Sequence, residues 1–168
     1  MTTVEAEPPI SLDRFSFEPV TEPAAIRQVM IHPKVYKHIT DDSAPEPEDF
    51  QPRMGPGMVY LGAYDGREFL GIWLFVERNS VCLEAHTMLL PCAYGERGAA
   101  AAKACERWIW EHTPCQRIIT EVPSYNLLAY RFAIEAGFKA FGRNLKAWKK
   151  DGKLHDLIML GLSRPSAA

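Results

Sequence analysis

The chain has the size and composition of one domain with a sizeable core and no strong electrostatic bias. It has 168 residues, of which 47% are hydrophobic and 24% are charged. Nineteen basic and 21 acidic residues give a net charge of −2, which argues against a nucleic-acid-binding domain, and no apolar run reaches the roughly 18 residues of a membrane span.

The first third of the chain predicts a strand, a broken helix and a long loop. Residues 14–20 (RFSFEPV) alternate as a strand, and residues 22–39 are helical in character but interrupted by Pro33. The following segment, TDDSAPEPEDFQPRMGPG (40–57), is rich in proline and acid and too long for a tight turn, which is typical of functional loops. Its acidic residues favour a cationic amine or a basic peptide as a substrate.

A three-stranded meander and a long helix are predicted in the middle of the chain. The strands cover 58–64, 68–77 and 80–91, and an Asp-Gly turn joins the first two. The helix is predicted from Ala99 to His112, because its apolar residues recur at helical spacing. This spacing gives the helix a buried stripe of Ala101, Ala104, Cys105, Trp108 and His112.

The last part of the chain predicts a strand, a second helix and a hairpin. The strand covers 115–122, and the helix is expected to begin at a Ser124 cap and to end at Gly137. The hairpin, 141–163, turns at Asp151-Gly152. The predicted fold class is therefore α/β of the mixed α+β type: a single domain with a mixed, mostly antiparallel sheet of seven strands and helices on both faces.

The boundaries of this domain follow from the composition of the two ends. We assign the domain to residues 11–164 and expect flexible ends at residues 1–10 and 165–168. The four cysteines form no CxxC pair and the N-terminus lacks the pattern of a signal peptide, so we expect free thiols and a cytoplasmic protein.

The stretch YGERGAAAAKA (94–104) joins the meander to the long helix. Gly95, Gly98 and the alanines after them leave backbone N–H groups open at the positive end of the helix dipole, where phosphate groups bind. Arg97 is suited to pair with a phosphate oxygen. An alternative stays open: the glycines only shape a strand-to-helix turn, since the stretch matches neither GxGxxG nor the P-loop pattern.

The order of these elements, with PCAYGERGA (91–99) and NLLAYRFAIEAGF (126–138), resembles the GNAT superfamily of acyl-CoA N-acyltransferases. In that family a glycine-rich loop covers the CoA pyrophosphate, and a later helix has the form Asn-xx-Ala…Gly-Phe. Asn126, Ala129, Gly137 and Phe138 match the second motif in register. The resemblance covers roughly residues 12–164. The C-terminal part looks like the branch that acetylates protein N-termini, including ribosomal-protein alanine acetyltransferases, and like stand-alone members carried by phages.

The resemblance implies acetyl-CoA (CoA) as the cofactor and a set of residues that contact it. Asn126 is implied to contact the pantetheine arm, with helix capping as the alternative role. The backbone N–H near Leu89 or Leu90 is implied to bind the thioester carbonyl. The implied cradle of the pyrophosphate is Tyr94, Gly95, Glu96, Arg97, Gly98, Ala99 and Ala100. Tyr94 and Arg97 depart from the family pattern, which usually has arginine or glutamine at the first position and glycine at the second.

Three residues are candidates for the proton transfers that acyl transfer to an amine requires. Glu84 matches the position where several family members carry a base, and His86, on the same strand face, competes with it. A salt-bridged Glu84 and a merely polar His86 are the alternatives. The family often has, where this chain has Ala133, a tyrosine that protonates the departing thiolate. Tyr130, one turn earlier, is either its substitute or a packing residue.

The predicted function is transfer of an acetyl group from acetyl-CoA to a primary amine, by direct attack in a ternary complex. The amine belongs to a small molecule or to a protein N-terminus, and Glu121 and Ser124 are expected to touch it. The alternative, favoured by Ala133 and the altered loop, is a CoA-binding module without turnover. No nucleic-acid or membrane partner is expected, and a homodimer is left open. No metal is expected either, since residues in a line on one strand do not form the tetrahedral cage that zinc prefers.

Overall fold

Seven strands form one sheet in the computed structural model, which describes residues 6–167. The sheet order is β1-β2-β3-β4-β5-β7-β6, and every neighbouring pair is antiparallel except β4 and β5. This confirms the predicted mixed, mostly antiparallel sheet. The strands are β1 (Phe15–Pro19), β2 (Met58–Asp65), β3 (Glu68–Asn79), β4 (Cys82–Leu89), β5 (Arg117–Pro123), β6 (Lys139–Lys150) and β7 (Lys153–Ser163). The predicted flexible ends are described only in part, because residues 1–5 and 168 lie outside the described residues.

Helices cover both faces of the sheet, as predicted, and each face has its own hydrophobic core. The helices are α1 (Pro23–Met30), α2 (Pro33–Ile39), α3 (Glu96–His112) and α4 (Leu127–Glu135). On one face, Ile26 of α1 and Val35 of α2 pack with Met88 of β4. On the other face, α3 and α4 pack over Ala85 and Ile118. Because β3 lies between the two cores, its middle is buried on both sides and its sequence reads as a continuous apolar run.

The long helix α3 begins three residues earlier than predicted, at Glu96. Ala101, Ala104 and Cys105 are buried as its periodicity requires. Trp108 is only half-buried, and His112 is exposed and stacks on Trp108 with ring centroids 4.1 Å apart. The prediction that His112 is buried is therefore wrong, because the stripe drifts away from the sheet in the last turn of the helix.

Helix α4 is capped by Asn126 and not by Ser124. The Asn126 side chain accepts a hydrogen bond from the Ala129 N–H at 3.1 Å. The Asn126 N–H donates to the Pro123 oxygen at 2.8 Å, so a turn separates the strand from the helix. Ser124 lies inside that turn, which is why the predicted cap is wrong. The predicted end of the helix is confirmed at Gly137, whose φ of 97° lies in the left-handed region.

The loop at residues 40–57, which we call the strap, is fastened to the hairpin of β6 and β7. Both turn residues of the hairpin, Asp151 and Gly152, have positive φ angles, as the predicted Asp-Gly turn requires. The Asp42 carboxylate accepts their two N–H groups at 2.8 and 2.9 Å. The Lys150 ammonium group also donates to the Thr40 oxygen at 2.8 Å. The strap and the hairpin therefore hold each other in place.

Candidate active site

The parallel strands β4 and β5 separate part-way along the sheet and leave a gap. They are paired at three positions, of which the last is Glu84 opposite Ile119. One residue further, the Thr120 hydroxyl donates to the Ala85 carbonyl oxygen at 2.9 Å. Beyond that bond β4 follows β3 and β5 follows β7, so the gap widens between the two halves of the sheet.

A cavity of about 670 Å³ occupies this gap and is lined from both faces of the sheet. Tyr60, Met88 and the strap residue Phe50 line it on the α1–α2 face, and Ala102 and Ala133 line it on the α3–α4 face. Of the predicted site residues, the lining includes Glu84, His86, Glu121 and Asn126. It does not include Leu89, Leu90, residues 94–100, Ser124 or Tyr130.

Backbone N–H groups of β4 point into the gap. The Leu90 N–H donates to the Leu70 oxygen of β3 at 2.9 Å, so it is not available to a ligand as predicted. Positions along an antiparallel pair alternate between hydrogen-bonded and non-hydrogen-bonded, which turns the N–H of Leu89 and of Thr87 away from β3. The Thr120 bond to Ala85, on that same side, agrees with this alternation. Of the two predicted amides, Leu89 is the one directed at the gap.

The N-terminus of α3 is open. Gly95 is its N-cap, with a φ of 85° that favours glycine, and no side chain caps the helix. The first helical bond runs from the Ala99 N–H to the Gly95 oxygen at 3.2 Å. The N–H groups of Glu96, Arg97 and Gly98 therefore have no protein acceptor within the described part of the chain. Open N–H groups at the positive end of a helix dipole are suited to bind an anion.

Gly98 has a structural role as well. A Cβ atom at this position would lie 2.4 Å from the Ala93 oxygen and 3.3 Å from the Leu89 side chain. The first turn of α3 thus packs against the end of β4, next to the gap. Gly98 therefore shapes the turn between strand and helix, and phosphate binding by the amides beside it stays a prediction. A carboxylate placed at Gly98 would disturb the fold itself, so it is a poor probe of anion binding.

The Arg97 guanidinium does not point at the open amides. It donates to the Asp65 carboxylate at 3.0 Å and to the Glu68 carboxylate, which ties α3 to the turn between β2 and β3. The hydrogen bond to Glu68, with that to Asp65, raises the pKa of Arg97 above its already high value. The predicted pairing of this side chain with phosphate is therefore wrong for this structure, although its N–H remains in the cradle. Tyr94 is exposed, and its hydroxyl lies 3.4 Å from the Lys34 oxygen.

Glu84 and His86 form a hydrogen-bonded pair on the α1–α2 face of β4. The His86 Nε2–H donates to Glu84 Oε1 at 2.8 Å, and Arg78 Nη1 lies 3.1 Å from Glu84 Oε2. The hydrogen bond from His86 lowers the pKa of Glu84 against the opposing effect of burial, and the charge of Arg78 adds to the lowering. Glu84 is 15% exposed and His86 is 43% exposed, so the imidazole is the more accessible base of the pair.

The side chains near α4 divide into those that reach the cavity and those that do not. Asn126 lines the cavity. Its side-chain oxygen caps the helix, and because this bond uses only the oxygen, the NH₂ group remains free to donate. Tyr130 packs against the hydrophobic core outside the lining. Its packing agrees with the alternative role given above, and its use as a substitute for the tyrosine missing at Ala133 stays a prediction. Ser124, also outside the lining, donates its N–H to the Asp156 oxygen at 2.9 Å.

Among the cavity residues that sequence reasoning missed is an acidic one, Glu106 on α3. Its carboxyl group lines the cavity on the α3–α4 face, and its Oε1 atom is buried without a hydrogen-bond partner in the described chain. The sequence did contain a signal. Glu106 is four residues after the buried Ala102 and next to the buried Cys105, which places it at the edge of the inward face of the helix.

The acidic strap does not form the negatively charged site that its composition suggests. Asp42 is taken up by the hairpin turn, and Asp41 accepts hydrogen bonds from the N–H and the hydroxyl of Ser43 at 2.9 and 2.6 Å. The strap residues in the cavity lining are Phe50, Gln51 and Arg53. The acceptor side of the cavity therefore carries charges of both signs.

Residues 6–167 lack a metal-binding cluster and a membrane-spanning helix. No group of three or more His, Cys, Asp or Glu side chains in that range is arranged to hold a metal ion. No helix there is long and apolar enough to cross a membrane.

Comparison with known proteins identifies the fold. No protein-family model matches the sequence, and no curated protein matches it either. A spermidine N-acetyltransferase from Vibrio cholerae, solved with CoA and spermine, has a TM-score of 0.73 at 12% identity, over 90% of this chain and 96% of that chain. A ribosomal-protein-S5-alanine acetyltransferase from Vibrio fischeri has a TM-score of 0.67 at 12% identity, over 89% of this chain and 93% of that chain. At such identities the similarity shows the fold, which this chain shares with these two acetyltransferase structures.

Proposed function

We propose that this chain, which has the GNAT fold, is an N-acetyltransferase that moves an acetyl group from acetyl-CoA to a primary amine in a ternary complex. One observation carries the proposal. The open N-terminus of α3 packs against the end of β4, so a ligand whose diphosphate binds there can extend into the gap between β4 and β5. The cavity in that gap, about 670 Å³, is of the size that holds a small-molecule ligand.

The residues at the start of α3 fit the diphosphate of CoA. The N–H groups of Glu96, Arg97 and Gly98 supply the donors, and the small side chains of Ala99 and Ala100 leave room for a phosphate group. When bound, acetyl-CoA supplies the activated acyl group. All other steps are assigned to side chains and backbone groups of this chain.

The gap supplies the groups that orient and polarise the acyl donor. The N–H groups of Leu89 and Thr87, both directed away from β3, lie along the path of the acyl donor, and the one that reaches the carbonyl oxygen stabilises the negative charge that develops on it. The free NH₂ group of Asn126 binds the pantetheine arm. Glu121 extends from β5 on the far side of the gap and contacts the incoming amine.

Proton removal from the amine is assigned to the pair of Glu84 and His86. Because the pKa of Glu84 is lowered, its carboxylate is a weak base and serves to orient the imidazole. The hydrogen bond from Nε2–H to Glu84 leaves His86 Nδ1 as the acceptor that takes the proton, directly or through water.

A CoA-binding module without turnover is the second candidate. It is favoured by Ala133, which stands where the family often has a tyrosine, and by the position of Tyr130 outside the cavity lining. The two candidates differ in the release of free CoA thiol: an enzyme releases it in proportion to added amine, and a binding module does not. Spermidine and a peptide that begins with alanine are suitable first acceptors.

A charge change at Ala99 tests the diphosphate site. We expect Ala99→Asp to weaken CoA binding about tenfold, because a carboxylate in the first turn repels the diphosphate. The same carboxylate favours the helix through its dipole, so the loss of affinity does not come from unfolding. Titration calorimetry with CoA measures the change.

The matched control is Ala99→Asn, which has the same shape without the charge and is expected to change the affinity less than about threefold. The wild type should gain about 2.7 kcal/mol of stability at a CoA concentration of 100 times the Kd. Equal affinities of the Asp and Asn variants would place the phosphate groups elsewhere. An unchanged melting temperature of the wild type in CoA would remove the cofactor from the proposal.

Single and double variants test the pair of Glu84 and His86. We expect Glu84→Gln and His86→Gln each to lower kcat/KM about 100-fold, and the double variant to lose little more, since the two side chains act as one unit. Amine-dependent thiol release gives the rates. Glu77→Gln, an exposed carboxylate on the neighbouring strand, serves as the control. Losses that multiply in the double variant would show that the two residues act independently.

A further inference from the structure

Glu106, a half-buried residue of α3, carries the one buried side-chain polar atom of residues 6–167 that lacks a hydrogen-bond partner. Its Oε1 atom has no hydrogen bond, and no other buried side-chain nitrogen or oxygen in residues 6–167 shares this condition. A buried polar atom without a partner costs free energy, so its presence in a cavity wall calls for a partner that comes from outside the chain.

The protonation state of Glu106 decides what it can offer to that partner. Burial raises its pKa to about 8, with Lys103 acting in the opposite direction. The group is therefore a neutral carboxylic acid at pH 7 and has an O–H to donate. None of the cavity-lining residues of α4 is ionisable. Besides the neighbouring Cys105, the ionisable or charged groups in the lining are His38, Arg53, Tyr60, Arg78, Glu84, His86 and Glu121.

The position of Glu106 along α3 matches one end of the proposed ligand. It is ten residues after Glu96, which corresponds to about 15 Å along the helix axis. The pantetheine arm is about as long as four extended residues, or roughly 14 Å. A ligand whose diphosphate is held at the start of α3 can thus bring its sulfur to the level of Glu106 when its arm is extended along the helix. Two of the three α4 residues in the lining, Ala129 and Ala133, are small and leave space beside the third, Phe132.

From this arrangement we infer that Glu106 is the acid that protonates the sulfur atom of the acyl carrier as the thioester bond breaks. The inference rests on the proposed transferase function. The amine nitrogen bonds to the acyl carbon and loses a proton to the pair of Glu84 and His86. The bond between the acyl carbon and sulfur breaks with its electron pair on sulfur, which takes the proton of Glu106. The Glu106 carboxylate then regains a proton from water.

The first arm of the test needs no acceptor amine. The infrared C=O band of a protonated carboxyl group should be present in the wild type, absent in Glu106→Gln, and displaced when CoA binds. CoA that lacks the sulfur atom should leave the band where it is. No such difference band in the wild type, or an equal displacement by the sulfur-free ligand, would overturn the inference.

The second arm is the pH profile of turnover. Wild-type kcat should fall as the pH rises through about 8, because the acid form of Glu106 is lost. Glu106→Gln should have a kcat at least about tenfold lower at pH 7 and should lack this falling limb, while its Kd for CoA stays within about threefold. The control is Glu111→Gln, the same change at an exposed site on the same helix.

The outcomes separate this inference from the proposed function. A wild type that turns over together with a Glu106→Gln variant of equal rate and equal pH profile would overturn the role of Glu106 alone. A wild type that binds CoA but never releases thiol with an amine would overturn the transferase and the acid role with it. Glu106→Leu, which fits the apolar wall, should show the same loss as Glu106→Gln.

Discussion

At pH 8 the Glu106→Gln protein is expected to be several kcal/mol more stable than the wild type, whereas at pH 4.5 the two should differ little. The pKa of Glu106 is about 8 in the folded chain, compared with 4.5 for an ordinary glutamate. Between these values the folded state keeps a proton that the unfolded state releases, so wild-type stability falls as the pH rises. The pKa difference, 8 − 4.5 = 3.5, corresponds to an upper limit of about 5 kcal/mol.

Urea denaturation of both proteins at several pH values between 4.5 and 8 measures this difference. All other titrating groups are common to the two proteins, so they cancel in the comparison. Glu111→Gln, an exposed substitution on the same helix, should leave the stability difference from the wild type constant across this range. A Glu106→Gln curve that runs parallel to the wild type would mean that Glu106 is already ionised at neutral pH.

The Gly71→Ala protein is expected to lose about 3 kcal/mol of stability and much of its affinity for CoA. Gly71 of β3 lies opposite Leu89 of β4, and its φ of 139° is in the region that favours glycine. A Cβ atom there would lie 2.3 Å from the Met88 oxygen and 2.8 Å from the Leu89 Cα. Both are backbone atoms in the middle of the sheet, so β4 has to move, and the Leu89 N–H moves with it.

Chemical denaturation and CoA calorimetry on the same preparation measure the two effects together. Gly55→Ala is the matched control, because a Cβ atom there meets nothing within 4 Å. It should leave both quantities unchanged. If Gly71→Ala lost stability but kept its CoA affinity, the end of β4 would have no part in holding the ligand.

The fold could be predicted from the sequence because its signals are local. Alternation and helical spacing depend on neighbours within a few residues, and the Asp151-Gly152 turn depends on the residues that form it. The start of α4 shows the limit of this approach. Ser124 and Asn126 are both good caps, and the choice between them depended on the turn formed by the Asn126 N–H and the Pro123 oxygen.

The site was predictable where it follows one strand and unpredictable where distant segments meet. Glu84 and His86 share a face because strand residues alternate, and the structure finds them in contact. The Leu90 N–H is hydrogen-bonded to the Leu70 oxygen of the neighbouring strand. The Arg97 guanidinium is hydrogen-bonded to the carboxylates of Asp65 and Glu68, on either side of the β2–β3 turn. No periodicity encodes such pairings.

The lining of the cavity from both faces of the sheet has a consequence for kinetics. In the proposed transferase the acyl donor enters the cavity from the side of helix α3, and the amine enters from the side of the strap. Neither reactant blocks the path of the other. We therefore expect acetyl-CoA and the amine to bind to the enzyme in random order. Double-reciprocal plots of the initial rate should then give intersecting lines, whichever of the two reactants is varied.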